Sequence, residues 1–131
     1  MTRDKFAKGL GEVFGPDTQP AKEEMDAFWA LAQEKGGMPR IGHKLLGYIT
    51  ERREHRERWV GALVHSTLPM KVIDGGLDPV SGAHMVERYR ELVPNADTLV
   101  LPHVGHYPHW EDPKAVLDGF MNFQSAMAKA R

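Results

Sequence analysis

The chain has 131 residues, 41% of them hydrophobic and 27% charged, with 17 basic against 18 acidic side chains and a net charge of -1. That length fits one ordinary domain, and that composition fits a globular protein and excludes a disordered one. The near-even charge balance provides no global field for nucleic acid or anionic membrane, the absence of cysteine excludes disulfides and thiolate metal sites, and no apolar run approaches the ~20 residues that a membrane helix needs. The opening residues, Met1-Thr-Arg-Asp-Lys-Phe6, lack the apolar core of a signal peptide. Without a signal peptide at this start or a cysteine to form disulfides, the expected compartment is the cytoplasm.

In chain order, Phe6, Leu10 and Val13 predict a short helix over residues 4 to 14, weakened by Gly9 and Gly11 and broken by Gly15-Pro16-Asp17. Residues 20 to 35 predict a stronger one. Pro20 suits a first helical position, Glu23 and Glu24 suit the positive end of the dipole, and Met25, Phe28, Trp29 and Ala32 form one apolar stripe. Residues 41 to 65 predict one long helix, or two with a bend, with Leu45, Leu46, Ile49, Trp59 and Leu63 as its apolar positions. Its charged middle, Glu51 to Arg58, places Arg53 with Glu57 and Glu54 with Arg58 at i, i+4, the spacing of a solvated, salt-bridged face. The interleaved glutamates argue against a nucleic-acid patch.

The pattern then changes. Met70 to Ile73 predicts a short buried strand, closed by Asp74-Gly-Gly76. Ser81 is placed to cap a helix with Met85, Tyr89 and Leu92 on its inner face. Thr98 to Leu101 predicts a second strand, followed by a histidine-rich loop. Asp112-Pro113 is an N-cap with proline at the first helical position, opening a last helix with Val116, Leu117, Phe120 and Met121 inward. A strand–helix–strand unit implies a parallel pair, and parallel pairs are normally buried inside larger sheets. Two short strands are too few for such a sheet, so the chain reads as part of something larger.

Both strands end in a glycine-containing turn that presents a titratable residue: Asp78 in Gly75-Gly-Leu-Asp78-Pro-Val80, and His106 in Gly105-His106. In parallel α/β sheets functional groups gather beyond the C-terminal strand ends. Adjacent strands would bring this carboxylate to this imidazole, where it would fix the tautomer and stabilise the imidazolium. Plain turn chemistry remains the alternative for Asp78 before Pro79, and an ordinary loop histidine the alternative for His106. His103, His106 and His109 are spaced by three with Glu111 and Asp112 beyond, but only a helix would align them for a metal, and Pro102 and Pro108 oppose one. His43, His55, His65 and His84 lie in helical stretches and read as surface or packing residues. Phe14, Phe28, Trp29, Tyr48 and Trp59 read as core aromatics, with the lining of an apolar substrate pocket as the alternative.

These residues resemble the C-terminal half of an α/β-hydrolase, in the branch of haloalkane dehalogenases, epoxide hydrolases and the mesoderm-specific transcript protein. Gly75-Gly-Leu-Asp78-Pro-Val80 and Gly105-His106-Tyr-Pro-His-Trp-Glu-Asp-Pro113 carry the resemblance, with the closing helix from Ala115 to Phe123. The stretches Leu45 to Arg53 and Arg58 to Leu63 are similar to the last-named protein's cap-to-core segment. The resemblance implies an α/β fold class with residues 1–65 as a helical cap-like segment and 66–131 as the C-terminal part of the hydrolase core. It implies Asp78 as triad acid and His106 as general base, with no cofactor and no metal, acting on a small-molecule substrate. The family's nucleophile precedes the acid in sequence, yet no Gly-x-Ser-x-Gly or Gly-x-Asp-x-Gly elbow occurs, and Ser66 and Ser81 stand in other contexts. Met1 is therefore expected to be an internal methionine of a longer chain or a misplaced start. The other expectation is a non-enzymatic remnant that binds or dimerises through an exposed strand edge.

Overall fold

The computed structural model describes residues 2–129. Contacts divide the chain into two compact units: the residues through Ala7 with Ala21–Thr67, and Lys8–Pro20 with the residues from Leu68 onward. Residues 8–20, which the sequence division at 65/66 groups with the helical segment, thus pack with the strand-bearing half.

The first unit is helical. Helix α1 (Arg3–Gly11) begins in it, and α2 is Lys22–Gln33. The Phe6 ring meets Trp29 at 5.4 Å, and the Arg3 guanidinium donates to Asp26 through Nε at 2.8 Å and also through Nη2. Helix α2 starts after Pro20, where Glu24 turns back to accept the Ala21 N–H at 2.7 Å. Met25 is its buried residue, flanked by half-buried Phe28, Trp29 and Ala32, as the stripe predicts. The segment expected as one or two helices forms three: α3 (Gly37–Leu45), α4 (Tyr48–Glu54) and α5 (Arg56–Val64). The break at His55 (φ -104°, ψ 15°) interrupts the i, i+4 rows, and Glu57 pairs with Arg56 at 2.7 Å instead of Arg53. Residues 51–59 are exposed throughout. Leu45, Leu46, Ile49, Tyr48 and Leu63 are also exposed, Trp59 marginally so at 37%, and the reading of Tyr48 and Trp59 as core aromatics is corrected.

In the second unit, β1 (Lys71–Gly75) and β2 (Asp97–Leu101) pair in parallel, in register from Lys71 opposite Asp97 to Gly75 opposite Leu101. A 2.5 Å ion pair joins Lys71 to Asp97 at the N-terminal end. The crossover is α6 (Ala83–Leu92), whose Val86 is fully buried. A single turn, α7 (Pro108–Glu111), follows β2, then α8 (Pro113–Lys129). Pro108 does not prevent that turn, because it stands at its first position, where no N–H is needed. Asp112 caps α8 as expected, its Oδ1 accepting the Ala115 N–H at 2.9 Å.

Helix α8 is rotated from its expected setting. Leu117, Phe120 and Met121 are exposed, and the inward row is Val116, Gly119, Phe123 and Met127. Gly119 sets this rotation: a Cβ there would lie 2.6 Å from Leu99 Cδ2 and 3.2 Å from Ile73 Cδ1. The helix backbone rests directly on the sheet's Ile73 and Leu99, a contact that a larger residue would forbid. Gly119→Val should therefore lower stability by about 1–3 kcal/mol through overpacking, read as a smaller urea midpoint. An unchanged midpoint would mean that α8 does not sit on this face.

Candidate functional site

Both strands of the second unit end where the chain has no room for side chains. A Cβ on Gly75 would lie 1.8 Å from the Gly105 carbonyl oxygen, and one on Gly105 would lie 2.3 Å from that of Val13. Three backbone segments therefore meet at van der Waals distance. The Leu77 N–H donates to the Val104 carbonyl at 2.9 Å and the Gly76 N–H to that of Leu101 at 2.8 Å, locking the turn after β1 onto the loop after β2.

This convergence brings together Asp78 and His106. Asp78 Oδ2 lies 2.8 Å from His106 Nδ1; the Asp78 side chain is 2% exposed and that of His106 32%. Oδ2 also accepts the Ser81 hydroxyl at 2.9 Å, and Oδ1 accepts the Val80 N–H at 2.7 Å. Ser81, expected to cap α6, serves the acid instead, while Gly82 occupies the cap position without a side-chain bond. Burial pushes the Asp78 carboxyl up, but hydrogen bonds from His106, Val80 and Ser81 outweigh it and hold it below its ordinary value. An ionised Asp78 accepts a proton-bearing Nδ1, which leaves Nε2 as the basic nitrogen. Among the described residues Nε2 makes no hydrogen bond, and the Ser81 hydroxyl is committed to the carboxylate on the opposite side of the ring. Ser81 is thereby not a nucleophile that His106 can activate.

A second carboxylate lies on β1 itself. Asp74 is buried, and its Oδ2 has no hydrogen-bond partner. Burial, then the charge of Asp78, push its carboxyl above its ordinary value. A third, Glu111, is surrounded by donors. Its Oε2 accepts the N–H groups of Gly15 and Gly105 at 2.8 Å and the Thr18 hydroxyl at 2.5 Å, and its Oε1 accepts the Tyr107 N–H at 2.9 Å. Burial again works against the charge, and the Thr18, Gly105, Gly15 and Tyr107 donors overcome it, so Glu111 is held below its ordinary value.

The other histidines do not join the site. His103 and His109 are exposed, as are His43, His55, His65 and His84. Among the described residues no three His, Asp or Glu side chains converge as metal ligands. Of the expected core aromatics, Phe14 is buried in this unit and its ring meets Tyr107 at 5.1 Å. A separate cavity of about 490 Å³, within the helical unit, is lined by Ile49, Arg52, Arg53, Arg56, Trp59 and Val60. Glu111, Thr18 and Asp74 have no local signature as site residues. Glu111 and Gly15 are separated by 96 positions, a partnership that only the fold reveals.

Asp78 and Asp74 predict opposite acid responses. Asp78 is depressed, so its stabilising contribution is present above the unfolded value of about 3.9 and is lost as pH falls through its folded value. Asp74 is raised, so its charge costs stability near neutrality, and that cost disappears as pH falls through its folded value. Asp78→Asn should then lose about 1–3 kcal/mol at pH 7 and show a shallower loss in acid. Asp74→Asn should be more stable than the parent at pH 7, with the gap closing in acid. Denaturant titrations from pH 7 to pH 3 check both signs.

No protein-family profile matches the chain. The human mesoderm-specific transcript homolog protein is 41% identical over 120 residues, which cover 90% of this chain and 36% of that protein. A Mycobacterium tuberculosis protein named "Putative hydrolase LipZ" is 35% identical over 122 residues, covering 93% of this chain and 42% of that one. Among solved structures, a serine hydrolase involved in carbazole degradation, CarC, superposes with a TM-score of 0.69 at 15% identity, covering 95% of this chain and 48% of its own. The chain thus spans well under half the length of the curated relatives it matches. Among the described residues no helix is long and apolar enough to cross a membrane.

Proposed function

We propose, from a chain that carries part of an α/β-hydrolase fold, that Asp78 and His106 are the acid and general base of a hydrolytic site whose nucleophile lies outside these 131 residues. The observation that carries this reading is the 2.8 Å contact between a buried carboxylate and Nδ1 of a partly exposed imidazole, at the C-terminal ends of paired parallel strands. The helices α2 to α5 are proposed as a cap-type segment, and the substrate as a small apolar ester, epoxide or carbon–halogen compound.

The chemistry follows from the geometry. For an ester, a hydroxyl nucleophile from the rest of the protein bonds to the acyl carbon while His106 Nε2 takes its proton. The imidazolium gives that proton to the alkoxide as the carbon–alkoxide bond breaks. His106 Nε2 then removes a proton from a water whose oxygen bonds to the same acyl carbon. The acyl–nucleophile bond breaks, and the imidazolium returns the proton to the nucleophile's oxygen. For an epoxide or carbon–halogen compound, a carboxylate nucleophile displaces the epoxide oxygen (which takes a proton from water) or the halide from an alkyl carbon. The water that His106 deprotonates then bonds to the carbonyl carbon of that ester, and the alkoxide that leaves takes the imidazolium's proton. Asp78 keeps the ring in its Nδ1–H form and stabilises the imidazolium. The 131 residues contain neither a nucleophile elbow nor its N–H groups, and an oxyanion hole is worth roughly 3–4 kcal/mol, so the chain alone is expected to be inactive.

A second reading, a binding or dimerising remnant, is favoured by one observation: β1 pairs with β2 in a two-stranded sheet, which leaves its other edge unpaired among the described residues. Sedimentation tests the dimerising form of this reading: a stable dimer supports it, and a monomer excludes it.

In the longer protein that carries these residues with their nucleophile, His106→Ala should cut ester, epoxide or haloalkane turnover by about 10²–10⁴-fold. Unchanged turnover would refute the assignment.

A further inference from the structure

His106 sits on a loop, and a loop alone does not hold an imidazole to a fraction of an ångström. Its backbone shows what does. The His106 N–H donates to the Val13 carbonyl at 2.8 Å. The N–H groups on either side, of Gly105 and Tyr107, both donate to Glu111, one to each carboxylate oxygen. The oxygen that takes Gly105 also takes the Gly15 N–H and the Thr18 hydroxyl. Glu111 thereby ties the base's loop to the segment that holds the His106 N–H itself.

We propose that Glu111 is a positioning residue for the general base. Its carboxylate fixes the peptide groups flanking His106 and so keeps the imidazole against Asp78 in the Nδ1–H form. The proposal rests on the acid–base reading of Asp78 and His106. Only an ionised carboxylate fits the role, because both of its oxygens face donors. Glutamine presents one oxygen and one NH2 group. Whichever way the amide turns, an N–H faces another donor, either at Tyr107 or at the Gly15, Thr18 and Gly105 cluster. The packing of Phe14 against Tyr107, 5.1 Å between rings, backs the loop from the other side but supplies no hydrogen bond to it.

A residue that merely stabilised the loop would change the melting temperature and leave the imidazole tautomer alone. The test is long-range 1H–15N NMR of the His106 ring in the 15N-labelled 131-residue protein at neutral pH, with Asp78→Asn to identify the signal of the carboxylate-bound Nδ1–H. The unaltered chain should show the Nδ1–H tautomer. Glu111→Gln, with its amide spectrum still dispersed, should show a mixture with Nε2–H and loss of the hydrogen-bonded Nδ1–H signal. A Glu111→Gln ring that stays fully Nδ1–H overturns the proposal while leaving the Asp78–His106 pair intact. A ring that is Nε2–H already in the unaltered chain overturns the pair, and the proposal with it. Should Glu111→Gln not fold, Glu111→Asp, which sets the charge back by one methylene, takes its place with the same expected mixture and the same contrary result. On the unaltered chain, the Gly105 and Tyr107 amide protons should exchange at least about tenfold more slowly than in a free peptide; free-peptide rates at both would overturn the proposal without any variant.

Discussion

A hydrogen bond between residues 28 positions apart, Asp78 and His106, sets what this structure must accomplish. A carboxylate that is 2% exposed is costly to bury unless its oxygens are satisfied. Here His106, Ser81 and Val80 satisfy them. That arrangement requires the turns after β1 and β2 to touch, which in turn requires glycine at 75 and 105, where a Cβ would strike a carbonyl oxygen. The parallel pairing, the crossover through α6 and the placement of α8 through Gly119 all serve to bring two strand ends to one place.

The strand-bearing unit carries carboxylates with opposite fates. Asp78 and Glu111 are held ionised by converging donors, whereas Asp74 is buried with one oxygen unpartnered and its charge disfavoured. Burial alone does not separate them, since it pushes all three upward. The difference is the N–H and O–H groups aimed at Asp78 and Glu111, and at Asp74 the added repulsion of the Asp78 charge. Charge is thus concentrated around the histidine: Asp78 at the ring and Glu111 at the backbone behind it.

Much of this was legible in the residues. Alternating short apolar runs and glycine turns placed both strands, and the rule that functional groups gather at parallel strand ends singled out Asp78 and His106. Asp112 before Pro113 announced its cap. Other features were hidden because they depend on partners distant in sequence. Helical periodicity predicted Leu117, Phe120 and Met121 as inward, but the close approach that Gly119 permits turned the helix, and a glycine gives no periodic signal. Ser81 looked like a cap because caps are local, and its actual partner is the acid. Glu111 was visible only as a neighbour of histidines, since the donors that define it include Gly15 and Thr18 from the far end of the chain. Leu45, Leu46, Ile49 and Leu63 follow helical spacing and are nonetheless exposed. Periodicity locates a helix face but does not say what lies against it.

The pairing of Asp78 with His106 turns on where one proton sits. Neutron diffraction from deuterated crystals of the protein at neutral pH would locate it directly. Deuterium is expected on His106 Nδ1, directed at Asp78 Oδ2, with a bare Nε2. Deuterium on Nε2 with a bare Nδ1, or a ring turned away from an Asp78 bonded only to Val80 and Ser81, would contradict that pairing.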